Sequence, residues 1–323
     1  MKKSGGKPVT EVTLRIAEGS DVRSTVEVWN RSLVRDPVTE ARFATWLFAD
    51  PDHDVSTGEG AWVAELEGKI VGFVRATKRV FPNDLAGREE EHGWIPVLFV
   101  DPGVRRHGVG TALLERAVEY HREHATRHVW VCGNTGSAPG YLFPGVDLDA
   151  YPGAHALFVK HGFVIDHEPV AMARTLADVD LDKLYREAWT EGSSEGVQIE
   201  ALRPETVQEF LAFLRDAFPG DWNTAARSKL RSGPMDEVLI ARLNGTVVGY
   251  CQWEGEHFGP TGVQAEARGK RLGAKLFVEA MRRIRLAGGN SIWFNWADPD
   301  AARFYHRFGL EVTRRYAILR KDL

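Results

Sequence analysis

The chain has 323 residues, which at roughly 150 residues per domain predicts two domains. Hydrophobic residues make up 43% of the chain and charged residues 27%, the balance expected of a globular protein with well-filled cores. The formal net charge of -4, together with the lack of a long run of Lys or Arg, argues against a nucleic-acid-binding protein.

The first residues of the chain include two lysines but no apolar stretch behind them, so they do not resemble a secretory signal. No segment approaches the ~18 consecutive apolar residues of a membrane-spanning helix. Cys132 and Cys251 lie in strand-like runs in different halves of the chain and are expected to be buried thiols in a reducing compartment. The sequence therefore predicts a cytoplasmic protein that does not contact a membrane.

The predicted elements, taken in chain order, occur twice. A first strand is predicted at residues 13–16 and again at 198–201, and one or two helices follow each. Residues 66–74 then read LEGKIVGFV, and residues 243–251 read LNGTVVGYC. Each is a strand, a two-residue Xaa-Gly turn and a second strand, and Asn-Gly is the strongest short signal for a β-hairpin.

The second part of each copy begins with another strand, predicted at residues 95–100 and 260–263. The segments RRHGVGTALL (105–114) and RGKRLGAKLF (268–277) follow, and each leads into an amphipathic helix. A further strand, a helix and closing strands complete each copy. The further strands are predicted at 129–132 and 292–295.

The spacing between matched landmarks is not constant. Gly68 and Gly245 are 177 positions apart, whereas Arg105 and Arg268 are 163 apart, so the first copy has an insertion before its arginine loop. A second insertion, at residues 136–151, is rich in Gly and Pro, as loops are. The predicted domains are 11–175 and 196–323, joined by a polar linker at 176–195 that contains a short helix near 181–190.

The first arginine loop has the features of a phosphate-binding turn. Backbone N–H groups and the dipole at a helix N-terminus attract an anion, and glycines let it approach the backbone closely. Basic side chains add charge-assisted hydrogen bonds to phosphate. The residues concerned are Arg105, Arg106, His107, Gly108, Val109, Gly110 and Thr111.

This loop resembles that of the GNAT superfamily of acyl-CoA-dependent N-acyltransferases. The family carries the pattern Gln/Arg-x-x-Gly-x-Gly/Ala between its fourth strand and third helix, and residues 105–110 match it completely. The resemblance covers nearly the whole chain as two tandem domains. It implies an α/β fold class with two GNAT folds, each a mixed, mostly antiparallel sheet with helices on both faces.

The second copy departs from the pattern, because Arg271 stands where the first glycine belongs. Its side chain could fill the pyrophosphate cradle, resist a backbone conformation that favours glycine, or turn outward and bind phosphate. The resemblance implies that Arg268, Lys270 and Gly273 contact acyl-CoA if this copy binds it.

Acyl transfer to an amine requires removal of a proton from the amine, a donor to the developing oxyanion, and a donor to the departing thiolate. In many GNAT enzymes a tyrosine that opens Tyr-x-x-x-Gly-Phe serves the thiolate. Tyr305 matches that position, whereas the first copy has Phe158. The resemblance also implies that a backbone amide near Phe99 and Val100 polarises the thioester.

The complete phosphate loop and the tyrosine therefore lie in different copies, which leaves two interpretations open. In the first, which we favour, the N-terminal domain is the enzyme and Tyr141 or Tyr151 of the inserted loop replaces the missing tyrosine. In the second, the C-terminal domain is the enzyme, Tyr305 is catalytic and Arg271 is tolerated.

Candidate general bases occur at the entry to the fourth strand of each copy. They are Glu91 and His92 in the first copy, and Glu256 and His257 in the second. A histidine with an ordinary pKa suits proton abstraction near neutral pH.

The predicted reaction transfers an acetyl or short acyl group from acetyl-CoA to a primary amine of a small molecule. The amine attacks directly, and neither a metal nor a covalent enzyme intermediate is expected. The predicted partners are acyl-CoA and a small amine, with no nucleic acid and no membrane, and the protein is expected to be a monomer or homodimer. The rival hypothesis is a non-catalytic acyl-CoA-binding or sensing protein.

Overall fold

The computed structural model describes residues 12–82, 87–190 and 195–323. They form two compact units. The N-terminal unit contains the described residues up to Pro82, together with Arg88–Glu168 and Tyr316–Leu323. The C-terminal unit contains Gly87 and the described residues within Pro169–Arg315. No helix in the described part of the chain is both long and apolar enough to span a membrane.

The N-terminal unit begins with two helices between its first two strands. Its elements in chain order are β1 (Thr13–Ile16), α1 (Val22–Ser32), α2 (Glu40–Phe48), β2 (Ala61–Leu66), β3 (Lys69–Thr77), β4 (His92–Val100), α3 (Val109–Glu123), β5 (His128–Val131), β6 (Val146–Asp147), α4 (Pro152–Lys160) and β7 (Val164–His167).

After one extra strand and one extra helix, the C-terminal unit repeats this order without a counterpart of β6 among its described residues. Its elements are β8 (Val170–Thr175), α5 (Leu181–Thr190), β9 (Val197–Ala201), α6 (Val207–Ala217), α7 (Asp221–Ser232), β10 (Val238–Leu243), β11 (Thr246–Glu254), β12 (His257–Val263), α8 (Leu272–Leu286), β13 (Ser291–Ala297), α9 (Pro299–His306) and β14 (Glu311–Asp322), whose second half belongs to the N-terminal unit.

Each unit is built on a mixed sheet. The order in the N-terminal unit is β1-β2-β3-β4-β5-β14, with β6 and β7 also paired with β14. The order in the C-terminal unit is β14-β8-β13-β12-β11-β10-β9. The parallel pairs are β4–β5 and β12–β13, and the other pairings are antiparallel. The expected fold class is confirmed.

Helices cover both faces of each sheet, because successive strand residues point to opposite sides. Val63 of β2 packs in a core with α1 and α2, whereas its neighbour Ala64 packs in a second core with α3 and α4. In the C-terminal unit, Ile240 packs with α6 and α7, and Ala241 packs with α8 and α9.

The two hairpins predicted from sequence are present, with β2–β3 and β10–β11 as their strands. Glu67 and Gly68 have φ values of 53° and 73°, and Asn244 and Gly245 have values of 52° and 84°. Positive φ at both central positions is the type I′ turn, whose twist matches that of the flanking strands.

The last strand of the first copy, β8, and the second half of β14, the last strand of the second copy, each lie in the sheet of the other unit. β8 follows the first copy in sequence but pairs with β13 and with residues 311–315 of β14 in the C-terminal unit. Residues 316–322 of β14 complete the N-terminal sheet beside β5. The units therefore differ from the sequence-based boundaries at 169–175 and 316–323, because hydrophobic alternation predicts a strand's faces but not its partner.

The segment predicted as a linker, residues 176–195, is partly helical. Its helix α5 has the predicted bounds and belongs to the C-terminal unit, where it packs along α8. The Arg282 guanidinium lies 4.5 Å from the centre of the Tyr185 ring, and the Lys275 ammonium lies 5.5 Å from that of Trp189. Residues 191–194 lie outside the described part of the chain.

Candidate active site

The parallel strands β4 and β5 separate part-way along their length. Within the described residues, their register ends with Ile95 opposite Val131. The Cys132 amide donates one more hydrogen bond to the Ile95 carbonyl, at 2.9 Å. β4 then continues to Val100 after β5 has ended. We refer to the gap beyond Ile95 and Cys132 as the β4–β5 opening.

A β-bulge lies where the opening begins. Arg75 of β3 is opposite Val97, but Thr77 is opposite Trp94, so β4 has one more residue than β3 over this stretch. Pro96 lies in the bulge, where its missing N–H removes no ladder hydrogen bond. Because bulges bend the strand that contains them, this one directs β4 away from β5.

The direction of the β4 amides follows from the β3–β4 register. The Asp101 amide donates to the Val71 carbonyl at 2.8 Å, so it points toward β3. N–H groups alternate in direction along a strand, which turns the Phe99 amide toward β3 as well. The amides of Leu98 and Val100 therefore point toward the side of the opening. Of the two residues expected near a thioester, Val100 has the suitable backbone direction and Phe99 does not.

The first arginine loop connects the end of β4 to α3 through two left-handed positions. Arg106 has φ 69°, and Gly108, which precedes the first residue of α3, has φ 86°. Gly110 lies in the first turn of α3, where a Cβ atom would be 3.3 Å from Leu157 of α4. The glycines thus permit the turn and the close packing of α4, and they leave N–H groups of the helix start exposed to an anion.

The side chains of this loop also hold its own backbone. Arg105 donates from Nε to the Val100 carbonyl at 3.2 Å. His107 Nδ1 lies 2.9 Å from the Arg105 carbonyl, and the Thr111 hydroxyl lies 3.5 Å from His161 Nε2. Arg105 therefore fixes the end of β4 in addition to any contact with phosphate.

The second arginine loop has the same backbone shape. Gly269 and Arg271 have φ values of 85° and 58°, at the positions of Arg106 and Gly108. Arg268 donates from Nε to the Val263 carbonyl at 3.3 Å, as Arg105 does to Val100. Arg271 thus adopts the left-handed conformation in spite of its Cβ, and the departure from the motif changes the side chain but not the turn.

A cleft of about 370 Å³ opens beside this second loop. Three arginines, Arg268, Arg271 and Arg307, line it, and Glu187 is the acidic residue among its walls. The remaining lining residues are Leu184 and Ala188 of α5, together with Val263, Ala267, Gly269, Leu272, Gly273, Ala274, Phe304 and Phe308. Positive charge beside a helix N-terminus suits a phosphate group.

The two residues at the tyrosine position are both buried. Phe158 is 2% exposed and Tyr305 is 7% exposed. The Tyr305 ring centre lies 4.5 Å from that of Phe294 and 5.0 Å from that of Phe277. Burial raises the pKa of the Tyr305 hydroxyl, which therefore keeps its proton at neutral pH.

The candidate bases of the first copy lie at the far end of β4 from its loop. Glu91 is exposed and pairs with Arg127 at 3.1 Å, and His92 Nδ1 lies 3.3 Å from Glu89 Oε1. Leu98 is six positions after His92, a distance of about 20 Å along a strand. The structure therefore does not bring Glu91 or His92 together with the amides at the opening.

The candidate bases of the second copy have structural contacts. The Glu256 carboxylate accepts hydrogen bonds from the Ser291 hydroxyl and from the amides of Asn290 and Ser291, and these lower its pKa. His257 packs against Trp293 with ring centres 4.5 Å apart, and burial lowers its pKa. Glu256 thus joins β12 to the start of β13.

The acetyltransferase (GNAT) family model matches residues 23–163 and 207–310, one region in each copy and most of the chain together. The chain belongs to the acetyltransferase (GNAT) family. The family resemblance found in the sequence is therefore confirmed.

One curated relative of this GNAT protein is an uncharacterised N-acetyltransferase of Methanocaldococcus jannaschii. It is 39% identical over 75 residues, which are 23% of this chain and 32% of the relative. The match thus spans about a third of the length of that relative.

Two solved structures share the fold over nearly all of this chain. The glucosamine N-acetyltransferase region of a fungal multi-domain GH3 β-N-acetylglucosaminidase superposes with a TM-score of 0.79 at 22% identity, covering 97% of this chain and 38% of that one. A tandem GNAT protein from the clavulanic acid biosynthesis pathway superposes with a TM-score of 0.62 at 17% identity, covering 97% and 98%. Identities this low show a common fold and no more.

The inserted loop of the first GNAT copy begins at the β4–β5 opening. Gly133 follows Cys132, and a Cβ atom on Gly133 would be 2.6 Å from Cδ2 of Tyr141, so the Tyr141 ring lies directly against the backbone there. The Tyr151 hydroxyl instead donates to the Asp36 carboxylate at 2.8 Å, in the segment after α1. Of the two tyrosines proposed from sequence, Tyr141 is thus the one beside the opening.

Sequence reasoning missed the residues that hold the end of β4. The Ser32 hydroxyl donates to the Val100 carbonyl at 3.0 Å, and Arg31 pairs with Asp101 at 2.7 Å. Both residues lie at the end of α1, and nothing local in the sequence indicates their partners. Pro96 could have predicted the bulge in β4, because a proline inside a strand pattern indicates a bulge or an edge strand.

Both cysteines are buried free thiols, as expected. Burial raises the pKa of Cys132 to about 12 and raises that of Cys251 as well. A thiol of such high pKa is not a nucleophile at neutral pH, because the thiolate is the reactive form.

Proposed function

We propose that this GNAT protein transfers an acetyl or short acyl group from CoA to a primary amine of a small molecule, and that the N-terminal unit performs the transfer. One observation carries the proposal. In that unit the β4–β5 opening and the complete glycine loop lie at the two ends of one stretch of β4, from Pro96 to Val100. A ligand held by its phosphates at the loop can extend along this stretch into the opening.

The residues of the first loop fit a pyrophosphate. The left-handed turns at Arg106 and Gly108 direct consecutive N–H groups outward, and α3 adds the partial positive charge of its N-terminus. Acyl-CoA supplies the activated acyl group when bound. The Val100 amide, which points toward the opening, then donates to the oxygen on which negative charge develops.

Tyr141 is the proposed proton donor in the N-terminal unit. In the transfer, a bond from the amine nitrogen to the acyl carbon replaces the carbon–sulfur bond, and the amine releases one proton to water while the sulfur gains one. Tyr141 gives its proton to the departing sulfur and is reprotonated through solvent. Its position against Gly133, at the start of the opening, supports this assignment over Phe158, which has no proton to give.

A thiol-release assay with acetyl-CoA tests which unit is catalytic. The acceptor panel contains polyamines, amino acids, aminoglycosides and amino sugars, including glucosamine because a fold relative is named for it. We expect Gly108→Glu to abolish thiol release, because the carboxylate occupies the anion site. The matched variant Arg271→Glu in the second loop is expected to retain it. Survival of activity in Gly108→Glu combined with its loss in Tyr305→Phe would overturn the proposal.

The cleft beside the second loop favours an additional, non-catalytic role for the C-terminal unit. We propose that it binds acyl-CoA through Arg268 and the start of α8 without performing transfer, whereas Lys270, the other basic residue expected to contact the ligand, is not among the residues that line the cleft. Calorimetry with acetyl-CoA is expected to count two sites in the unmodified chain and one in Gly108→Glu. A single site that disappears in Gly108→Glu contradicts this second role, and two sites with no acceptor-dependent thiol release contradict the enzymatic proposal.

A further inference from the structure

Two histidines of the N-terminal unit lie opposite each other on the parallel strands β4 and β5. His92 and His128 are partners where the β4–β5 register begins, at the end of β4 far from the arginine loop. Their ring centres are 6.0 Å apart, with an interplanar angle of 70°. The two residues are 36 positions apart in sequence, so no local spacing indicates that they meet. The pairing of the strands brings the two imidazole rings together.

Each of these imidazoles is held by a carboxylate through Nδ1. His92 Nδ1 lies 3.3 Å from Glu89 Oε1, and His128 Nδ1 lies 2.7 Å from Asp322 Oδ1. An ionised carboxylate only accepts hydrogen bonds, so Nδ1 is the donor in both rings and the lone pair of each neutral imidazole is at Nε2. Among the residues that the structure describes, neither Nε2 atom has a hydrogen-bond partner. Donation from one ring nitrogen to a carboxylate, with the other nitrogen free, is the usual arrangement of a histidine that binds a metal ion.

Both rings are turned toward the space between their strands. Asp322 is opposite His128 on β14, which borders β5 on the side away from β4. It draws Nδ1 of His128 away from β4, and Nε2, on the other side of the ring, is thereby turned toward β4. The His92 ring leans toward β5, because its centre is 4.7 Å from that of Trp130 on β5 and 6.1 Å from that of Trp94 on its own strand.

The distance between the rings is close to that of two imidazoles on one metal ion. With Zn–N distances of about 2.0–2.1 Å and tetrahedral geometry, two bound rings have centres roughly 5 Å apart, so the observed pair needs to close by about 1 Å. The His92 and His128 side chains are 30% and 36% exposed, which leaves room for this rotation. In the second copy His257 is opposite Trp293, so the pair of histidines is particular to the first copy.

The charges around the pair favour a transition-metal ion over Mg²⁺ or Ca²⁺. Glu89 also pairs with Arg79 at 2.8 Å, and Asp322 also pairs with Arg320 at 3.3 Å. The two carboxylates are therefore already neutralised, and the nitrogen atoms are the ligands that the site offers. Mg²⁺ and Ca²⁺ require several oxygen ligands, whereas Zn²⁺, Ni²⁺ and Cu²⁺ bind imidazole nitrogen.

We propose that His92 and His128 bind one Zn²⁺ ion through their Nε2 atoms, with water completing its coordination. The site joins β4 to β5 where their pairing begins, at the other end of the paired stretch from the β4–β5 opening. It takes no part in acyl transfer, for which no metal is expected. The proposal thus goes beyond the proposed function and does not depend on it, because metal binding is measured without acyl-CoA.

Calorimetry on the full chain with ZnCl₂ and MgCl₂ tests the site. We expect Zn²⁺ to bind and Mg²⁺ at the same concentration not to bind. His92→Gln and His128→Gln should each weaken Zn²⁺ binding by about tenfold or more, because each removes one of the two protein ligands. Equal Zn²⁺ affinity in His92→Gln and the unmodified chain would overturn the proposal, and so would a lack of Zn²⁺ binding to the unmodified chain at millimolar concentration.

A second group of metal-ligand atoms in the same unit provides the control. Ligand atoms of Glu59, Glu123 and His124 lie within 4.8 Å of one another. The Arg116 guanidinium is 3.2 Å from Glu123 and 3.8 Å from Glu59, so it already pairs with both carboxylates. His124→Gln is therefore expected to bind Zn²⁺ as the unmodified chain does. Loss of Zn²⁺ binding in His124→Gln, with unchanged binding in His92→Gln, would assign the ion to this second group and contradict the proposal.

Nitrogen NMR of the chain labelled at its histidines identifies the ligand atoms without any substitution. Zn²⁺ is expected to shift the Nε2 resonances of His92 and His128 and to leave their Nδ1 atoms protonated, because the carboxylates hold those protons. Shifts confined to other histidines, or loss of the Nδ1 protons, would show that these two Nε2 atoms are not the ligands.

Discussion

At the scale of single residues, the two phosphate loops place glycine differently on the same backbone. Each loop has two left-handed positions, and each has glycine at one of them: Gly108 in the first loop and Gly269 in the second. Arg106 and Arg271 fill the other two positions. A residue with a Cβ atom in this region costs roughly 1–2 kcal/mol. The turn is therefore common to both copies, and the space in front of the helix N-terminus is what differs.

Arg271→Gly is expected to stabilise the chain by about 1 kcal/mol, because glycine adopts φ 58° without the clash of a Cβ atom. The measurement is the urea midpoint of the C-terminal unit's unfolding transition. Arg268→Gly is the matched control, since Arg268 has φ -63° and donates to the Val263 carbonyl, so its replacement lowers the midpoint. An Arg271→Gly midpoint at or below that of the unmodified chain contradicts this account of the turn.

Tyr141→Phe is the residue-level test of the proton donor. We expect kcat to fall by about 10²–10⁴-fold while the Kd of acetyl-CoA is unchanged, because general acid catalysis by one side chain contributes about that factor. Tyr151→Phe, which loses the hydrogen bond to Asp36, is the control and should change kcat far less. Equal kcat in Tyr141→Phe and the unmodified enzyme would remove Tyr141 from the mechanism.

At the scale of elements, α3 is fixed on β4 by a buried histidine. His121 is 0% exposed, its Nε2 lies 3.2 Å from the Trp94 carbonyl, and its Nδ1 lies 3.4 Å from the Thr126 hydroxyl. Gly93 lies under the ring, where a Cβ atom would be 2.4 Å from His121 Nδ1. Helix, strand and following turn thus meet at one contact close to the start of the β4–β5 opening.

Gly93→Ala should destabilise the N-terminal unit by about 1–3 kcal/mol, the usual effect of adding a methyl group to a well-packed core. Denaturant unfolding measures the loss. Gly153→Ala in α4, where a Cβ atom would meet nothing within 4 Å, is the matched control and should leave stability unchanged or raise it slightly. If the two variants unfold alike, the packing of His121 on Gly93 is not as tight as the distances indicate.

Low pH is expected to weaken the packing of His121 of α3 against β4. Burial lowers the pKa of His121 to about 3 from 6.5, so the unfolded chain binds more protons between those values. Its contribution to stability is complete above pH 6.5 and decreases as pH falls toward 3. At pH 5 the loss is about 2 kcal/mol, from ~1.36 kcal/mol for each pH unit below 6.5. Unfolding measured at pH 7.5 and pH 5 should show this loss, and His121→Gln should reduce it.

At the scale of the whole molecule, the exchanged strands decide what can fold alone. Residues 316–322 of β14 pair with β5, β6 and β7, and Ala317, Ile318 and Leu319 are fully buried. A fragment that ends at residue 175, the sequence-based boundary, lacks this strand and instead carries β8, whose partners are in the other unit.

Residues 12–175 are therefore expected to be unfolded or aggregated. A designed chain of residues 12–168, an Asn-Gly turn and residues 316–323 is expected to fold and to bind acetyl-CoA. The design works because β7 and β14 are antiparallel neighbours, so a two-residue hairpin turn can join them. Circular dichroism and calorimetry measure folding and binding. A folded, ligand-binding 12–175 fragment would show that the exchanged strand is dispensable.

Local sequence signals predicted much of this fold. The Asn244-Gly245 hairpin, Pro299 at the start of α9 and the glycine loop at 105–110 were predictable because neighbouring residues determine them. The strand exchange, the direction of the Phe99 amide and the contact of Ser32 with Val100 depend on partners distant in sequence. Alternation of polar and apolar residues shows which way a side chain faces, and it does not identify the neighbouring strand.

The exchange also has a consequence for how the duplicated gene can change. After most duplications a spare copy can be deleted once its own activity is lost. Here deletion of the second copy would also remove residues 316–322, which the first copy needs to complete its sheet. Selection on the first copy thus preserves the reading frame through to the last strand of the second.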